Sequence, residues 1–142
     1  MDFLPGNRID LLTSGSEYFP ALIGAIESAL VEVRLESYIF EDDVTGRRVL
    51  SALIQAAQRG VAVHLLVDGF GASGFMSAFG NDLANTGVEV RVYRPEVARF
   101  KFRRHRLRRM HRKLVTVDAR IAFVGGINII DDMNIDHRPK QT

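Results

Sequence analysis

The sequence predicts an α/β domain: a mixed, mainly parallel sheet flanked by helices, with a C-terminal hairpin that carries a His-x-Lys-x4-Asp motif. Three observations lead there. Through Tyr93 the apolar residues switch repeatedly between a period of two and one near 3.6, in the order strand, helix, strand, helix, strand. Glycines and acidic clusters stand where the period changes. Beyond Arg94, two short apolar runs follow one another across a tight turn, which is hairpin spacing.

"RIDLL", Arg8 to Leu12, reads as a short strand. In "EYFPALIGAIESAL", Phe19, Leu22, Ile23, Ile26 and Leu30 share a helical face, and Pro20 sits in the first turn, where a missing N–H costs little. "VEVRLESYIF" is a strand with Val31, Val33, Leu35, Ser37 and Ile39 on one side. Glu41, Asp42 and Asp43 are placed to cap the next helix and favour its N-terminal dipole rather than to hold a metal. That helix carries Val49, Leu50, Leu53, Ile54 and Ala57 and stops at Gly60. "VAVHLLVD" suits burial on both faces and puts His64 among core residues. A glycine-rich loop, a weak helix over Met76 to Asn85 and the strand "VEVRVY" follow, implying right-handed crossovers. "RKLVTV" and "IAFVGG" then form the hairpin, and a polar tail ends the chain.

With 142 residues the chain is long enough, as one domain, to bury about 70% of the surface its unfolded form exposes. It has no cysteine, which excludes disulfides, thiolate zinc sites and cysteine nucleophiles. No apolar run approaches the roughly 20 residues needed to span a bilayer, and "MDFLPGNRID" lacks the features of a signal peptide, so a cytoplasmic chain is expected. The net charge is +2, but ten of the 19 basic residues and one of the 17 acidic ones lie between Arg94 and Lys113. The remainder has nine basic and sixteen acidic residues, a net charge of −7. Such segregation draws phosphate-bearing partners, lipid or nucleic acid.

Gly69, Gly71 and Gly74 match the dinucleotide-loop pattern Gly-x-Gly-x-x-Gly, with Glu89 at a suggestive distance. Glu89 begins its strand, however, whereas a ribose-binding acid belongs at a strand's carboxyl end. A flexible loop is the better reading. His105 and His137 have no ligand spacing.

His111, Lys113 and Asp118 form the motif, and Gly125, Gly126 and Asn128 follow. Residues two apart in a strand face the same side, so His111 and Lys113 project together. A two-residue turn centred on Ala119 and Arg120 pairs His111 with Asn128 and Lys113 with Gly126. Lys113 and Asn128 can donate to phosphate oxygens, while Gly125 and Gly126 let a bulky diester approach the main chain. Asp118 lies about 23 Å from His111 along an extended strand, so its role is to form the turn through its own backbone. Asp131, Asp132 and Asp136 are the local candidates for a carboxylate that supports the imidazole.

"HRKLVTVD" followed by "GGIN" resembles the signature of the phospholipase D superfamily. Together with "EYFPALIGAIESA", "ESYIFEDD" and "LLVDGFG", it makes essentially the whole chain similar to the amino-terminal half of bacterial cardiolipin synthases of the phospholipase D type. In that family two motifs meet in one site: one histidine attacks phosphorus and the other protonates the leaving alcohol. The resemblance implies His111 as nucleophile, Lys113 and Asn128 on the phosphoryl oxygens, and neither metal nor cofactor. It further implies that residues 1–142 are one half-domain, with a basic connector over 94–110, to be completed by a second motif-bearing half or a homodimer partner.

The expected substrate is an anionic phospholipid, phosphatidylglycerol, and the expected place is the inner face of the bacterial cell membrane, held peripherally. Arg103, Arg104, Arg106, Arg108 and Arg109 would meet the anionic surface, with Phe100, Phe102, Leu107 and Met110 entering between the charges. A homodimeric nuclease or phosphodiesterase, and a non-catalytic module binding anionic lipid or nucleic acid, are the alternative expectations. Ala119 stands where the family has a turn glycine.

Overall fold

A computed structural model describes residues 5–95 and 109–131. Its elements are α1 (Gly15–Glu27), β1 (Glu32–Ser37), α2 (Val44–Gln58), β2 (Ala62–Asp68), α3 (Phe75–Leu83), β3 (Glu89–Tyr93), β4 (Leu114–Val117) and β5 (Ile121–Val124). The strands form one sheet in the order β3-β2-β1-β4-β5. β1, β2 and β3 are parallel, while β4 runs antiparallel to β1 and β5 antiparallel to β4. The mixed sheet with a terminal hairpin is therefore present, but its pairings divide evenly, two parallel and two antiparallel, rather than being mainly parallel.

Alternation decides which side of the sheet is buried. Val33, Leu35, Val63, Leu65, Val67, Val115 and Val117 point to one face and join Leu22 and Ile26 of α1, Val49 and Leu53 of α2, and Phe75 and Phe79 of α3 in a single core. Each such side chain contributes about 1.5–3 kcal/mol by leaving water. Phe40 bridges the sheet and α3, its ring centroid 5.0 Å from that of Phe75. All three helices bury their apolar residues in this one core, so they share a face.

The opposite face is only partly covered by described residues, which corrects the expectation for β2. Its residues alternate between buried and half-exposed instead of being buried on both sides. His64 is consequently not a core residue. Its side chain is 35% exposed, with Nδ1 3.1 Å from Glu89 Oε2 and Nε2 3.6 Å from Glu32 Oε1.

Other boundaries shift for local reasons. Arg8 to Leu12 is not a strand: Ile9 and Leu11 are exposed and the segment makes no ladder. Leu30 lies beyond the end of α1 and is exposed, as is Val31 before β1. Past Ser37 the alternation slips, so Phe40 is buried and Ile39 only half-buried. Asp43 caps α2 as expected, its Oδ1 accepting from Gly46 N at 2.7 Å, worth about 1 kcal/mol. Its Oδ2 accepts from Asp131 N at 2.6 Å, which ties the start of α2 to the chain beyond β5.

Candidate active site

The site lies at the carboxyl ends of β1 and β2, the edge of a parallel sheet where ligands usually bind. Antiparallel pairing sets Leu114 opposite Glu36, so the chain entering β4 passes the end of β1. There the exposed His111 ring lies against Tyr38, with centroids 4.8 Å apart and planes tilted by 50°. Lys113 reaches the same place. Its Nζ is 3.2 Å from His111 Nε2, 3.2 Å from His111 O and 5.2 Å from the centre of the Tyr38 ring.

The two motif side chains therefore project together, as expected from alternation. Arg112 between them turns away: its Nε is 2.9 Å from Glu36 Oε2, a charge contact without hydrogen-bond alignment. Lys113 is 7% exposed, and burial lowers its pKa below the usual lysine value. An ammonium donating to Nε2 requires that nitrogen's lone pair, which places the neutral ring's proton on Nδ1. The arrangement puts an imidazole nitrogen and a partly desolvated cation side by side.

The register of the hairpin differs from the expected one. Val117 pairs with Ile121 and Leu114 with Val124 across a turn of Asp118, Ala119 and Arg120, one residue longer than the two-residue turn. Asp118 and Ala119 both have left-handed φ, +53° and +52°. Lys113 O consequently accepts from Gly125 N at 3.3 Å, rather than facing Gly126.

Asn128 does not pair with His111. It crosses to the end of β1, where its Oδ1 accepts from Ile39 N at 3.3 Å and Ile129 bridges Phe40. With the carbonyl end so engaged, the amide donors are what Asn128 retains for a ligand. Gly125 and Gly126 have open space where a Cβ would project.

Asp118 also acts differently from the expectation. Its carboxylate does not close its own turn but accepts three amides at the entry to β1: Leu30 N at 2.9 Å, Val31 N at 2.8 Å and Glu32 N at 2.9 Å. These bonds hold its carboxyl below the ordinary aspartate range. The motif aspartate fastens the far end of β4.

Among the described residues the imidazole's hydrogen-bond partner is Lys113, not a carboxylate. Asp131 is engaged through its backbone with Asp43, and Asp132 and Asp136 lie outside the described residues. So do Arg103, Arg104, Arg106, Arg108, Phe100, Phe102, Leu107, His105 and His137. Arg109 is half-buried with its guanidinium 4.2 Å above the Phe70 ring. Met110 is 5% exposed, so it packs inside the protein instead of entering a membrane.

Tyr38 and Asp68 had no place in the sequence-based site. Their signal was positional: each stands at the carboxyl end of a parallel strand. The glycine loop packs rather than cradles. A Cβ on Gly71 would lie 2.8 and 2.9 Å from Tyr38 ring carbons, and one on Gly69 would lie 2.5 Å from Arg94 O. A groove of about 430 Å³ beside Lys113 is lined by Phe123, Gly125, Gly126, Ile127 and Tyr18 and walled by Arg8 to Leu12.

Fold and motif together define a mixed α/β domain that carries His-x-Lys-x4-Asp at the carboxyl edge of its parallel strands. Residues 22–137 match the family model described as "Cardiolipin synthase, PLD-like domain", and the chain belongs to that family. It is 48% identical over 124 residues to cardiolipin synthase B of Escherichia coli K12, covering 87% of this chain and 30% of that protein. It is 35% identical over 133 residues to the major cardiolipin synthase ClsA of Bacillus subtilis, covering 92% and 27%. The chain thus spans about a third or less of these relatives.

Among solved structures, the phospholipase D family member Nuc from Salmonella typhimurium aligns with a TM-score of 0.58 at 25% identity, over 79% of this chain and 64% of that one. NucT from Helicobacter pylori aligns with a TM-score of 0.60 at 22% identity, over 78% and 66%, and shares the fold.

Proposed function

We propose that the chain is the amino-terminal half of a phosphatidyltransferase that forms cardiolipin from phosphatidylglycerol through a phosphohistidine. The observation that carries this is the 3.2 Å approach of the buried Lys113 ammonium to His111 Nε2. A phosphodiester oxygen bound by Lys113 brings phosphorus within attacking distance of that nitrogen. Nε2 forms a bond to phosphorus as the bond to the leaving glycerol oxygen breaks, and a second motif histidine from the other half protonates that oxygen. The glycerol hydroxyl of a second lipid, deprotonated by the same histidine, then attacks phosphorus and releases His111. Lys113 and the Asn128 amide stabilise charge on the phosphoryl oxygens, a contribution of about 3–4 kcal/mol for a well-placed donor.

The identity to cardiolipin synthases supports the lipid substrate. So does the groove beside Lys113, whose Tyr18, Phe123 and Ile127 suit an acyl-bearing molecule. The basic segment, with Arg103, Arg104, Arg106, Arg108 and Arg109, supplies peripheral attachment to an anionic inner membrane face, each charge contributing about 1 kcal/mol. Among the described residues no helix is long and apolar enough to cross a membrane.

The test is cardiolipin formation from phosphatidylglycerol vesicles by the chain expressed with its complementary half. His111→Ala should abolish it, and undiminished synthesis by that variant refutes the nucleophile assignment. The likeness to Nuc favours one other reading, a homodimer acting on a different phosphodiester. A dimer in sedimentation that cleaves DNA without added metal, and makes no cardiolipin, would establish it instead.

A further inference from the structure

Asp68 is the last residue of β2 and is 2% exposed. Its Oδ1 accepts from Phe70 N at 2.9 Å and Gly71 N at 3.1 Å, closing the loop that follows. An Asn or Ser would serve that turn as well. The other oxygen does something a local turn does not need: Oδ2 accepts from Met110 N at 2.7 Å, 42 residues along the chain and one residue before His111. Acceptors are required at both oxygens, and of the small side chains only an ionised carboxylate offers them.

The loop closes a second path to the same histidine. Gly71 packs so closely on Tyr38 that a Cβ would collide with its carbonyl oxygen and with its ring, and that ring is the surface on which His111 lies. The exposed His111 precedes the first paired residue of β4, Leu114, so the ladder alone does not hold it.

We propose that Asp68 is a positioning residue for His111, acting through the Met110 amide on one side and through Gly71 and Tyr38 on the other. The inference rests on reading His111 as the nucleophile. Asp68 touches no substrate; it sets where Nε2 stands relative to the phosphorus that Lys113 presents. Its loss should therefore act on kcat, since the phosphate-binding groups Lys113 and Asn128 remain.

The experiment compares the parent, Asp68→Asn and Gly71→Ala, each as the chain completed by its other half. It uses two diesters, phosphatidylglycerol in vesicles and bis(p-nitrophenyl) phosphate, and measures amide hydrogen exchange. Asp68→Asn should raise exchange at Met110 about 10- to 100-fold, as expected for a lost charge-assisted hydrogen bond, with Val33 and Leu35 unchanged. It should lower kcat on both diesters by a similar factor with KM within about threefold. Gly71→Ala should lower kcat while leaving Met110 exchange unaltered.

A folded Asp68→Asn variant with the parent's kcat, or with unaltered Met110 exchange, overturns the proposal. If that variant does not fold, Gly71→Ala decides, and the parent's kcat in that protein is the refuting result. A parent that cleaves the chromogenic diester but not the lipid removes the lipid reading and leaves the Asp68 test standing. A parent inert on both removes the nucleophile reading, and this inference with it.

Discussion

Replacing Lys113 by methionine should separate stability from activity, because the structure makes this residue costly to the fold and necessary to the chemistry. The residue is largely buried, and within the chain its ammonium obtains a hydrogen bond to an imidazole nitrogen, another to a carbonyl and a cation–π contact at 5.2 Å. Those gains amount to about 2–3 kcal/mol, while the effective penalty for desolvating an ammonium is several kcal/mol. Methionine fills the space without that penalty, so Lys113→Met should leave stability unchanged or raise it by about 1 kcal/mol, a melting rise of up to ~4 °C.

Turnover should move the other way. Loss of one well-placed donor to a developing oxyanion costs about 2.7–4 kcal/mol, or 100- to 1,000-fold in kcat. Thermal melts of the chain and initial rates of cardiolipin formation by the completed enzyme measure the two effects. A variant that melts more than ~5 °C lower, or keeps more than a tenth of the parent's rate, would show that Lys113 is a structural anchor and refute the reasoning.

Burial also predicts the alkaline limit of activity. Because the Lys113 ammonium loses its proton below the usual lysine value, the rate should fall with rising pH below about 10.4, and Lys113→Arg should move that limb upward even if it lowers the rate. Asp118 sets an acid limit on stability. Its carboxyl is held below the ordinary range by three amides, so its contribution is complete above the unfolded-chain value of about 3.9 and is lost as pH falls through the folded value. Asp118→Asn should melt lower than the parent at pH 7, and the gap should close in acid; a gap independent of pH contradicts the assignment. Ala119 holds a left-handed φ of +52°, which costs about 1–2 kcal/mol in an L-residue. Against the ~0.4–1 kcal/mol of added unfolded-state freedom, Ala119→Gly should stabilise by about 0.5–1 kcal/mol, or 2–3 °C, and a lower melting point would contradict the turn geometry.

Most of the fold was legible because its signals are local. The helical faces of Leu22, Ile26, Val49 and Leu53, the cap at Asp43 and the alternation of Val33 and Leu35 each arise from neighbours within a turn or a pleat. Illegible features depended on what lay opposite. His64 sits in an apolar run, yet its face of the sheet is half-open and carries Glu32 and Glu89. Arg8 to Leu12 has the period of a strand but makes no ladder.

The site divides the same way. By itself the sequence determined that His111 and Lys113 share a side, because alternation along an extended chain needs no knowledge of the rest of the molecule. It could not decide the register, which follows from a turn one residue longer than the pattern suggested. Nor could it find Tyr38 beneath the imidazole, Asp68 holding the amide before it, or the amides that engage Asp118 from 86 to 88 residues away. A carboxylate chooses its partners by proximity, and those partners are brought near only when crossovers, core and hairpin have closed together. The tertiary structure therefore decided what each acid of the motif region does, including that Asp118, read from its spacing as a turn former, fastens the opposite end of the strand from the histidine.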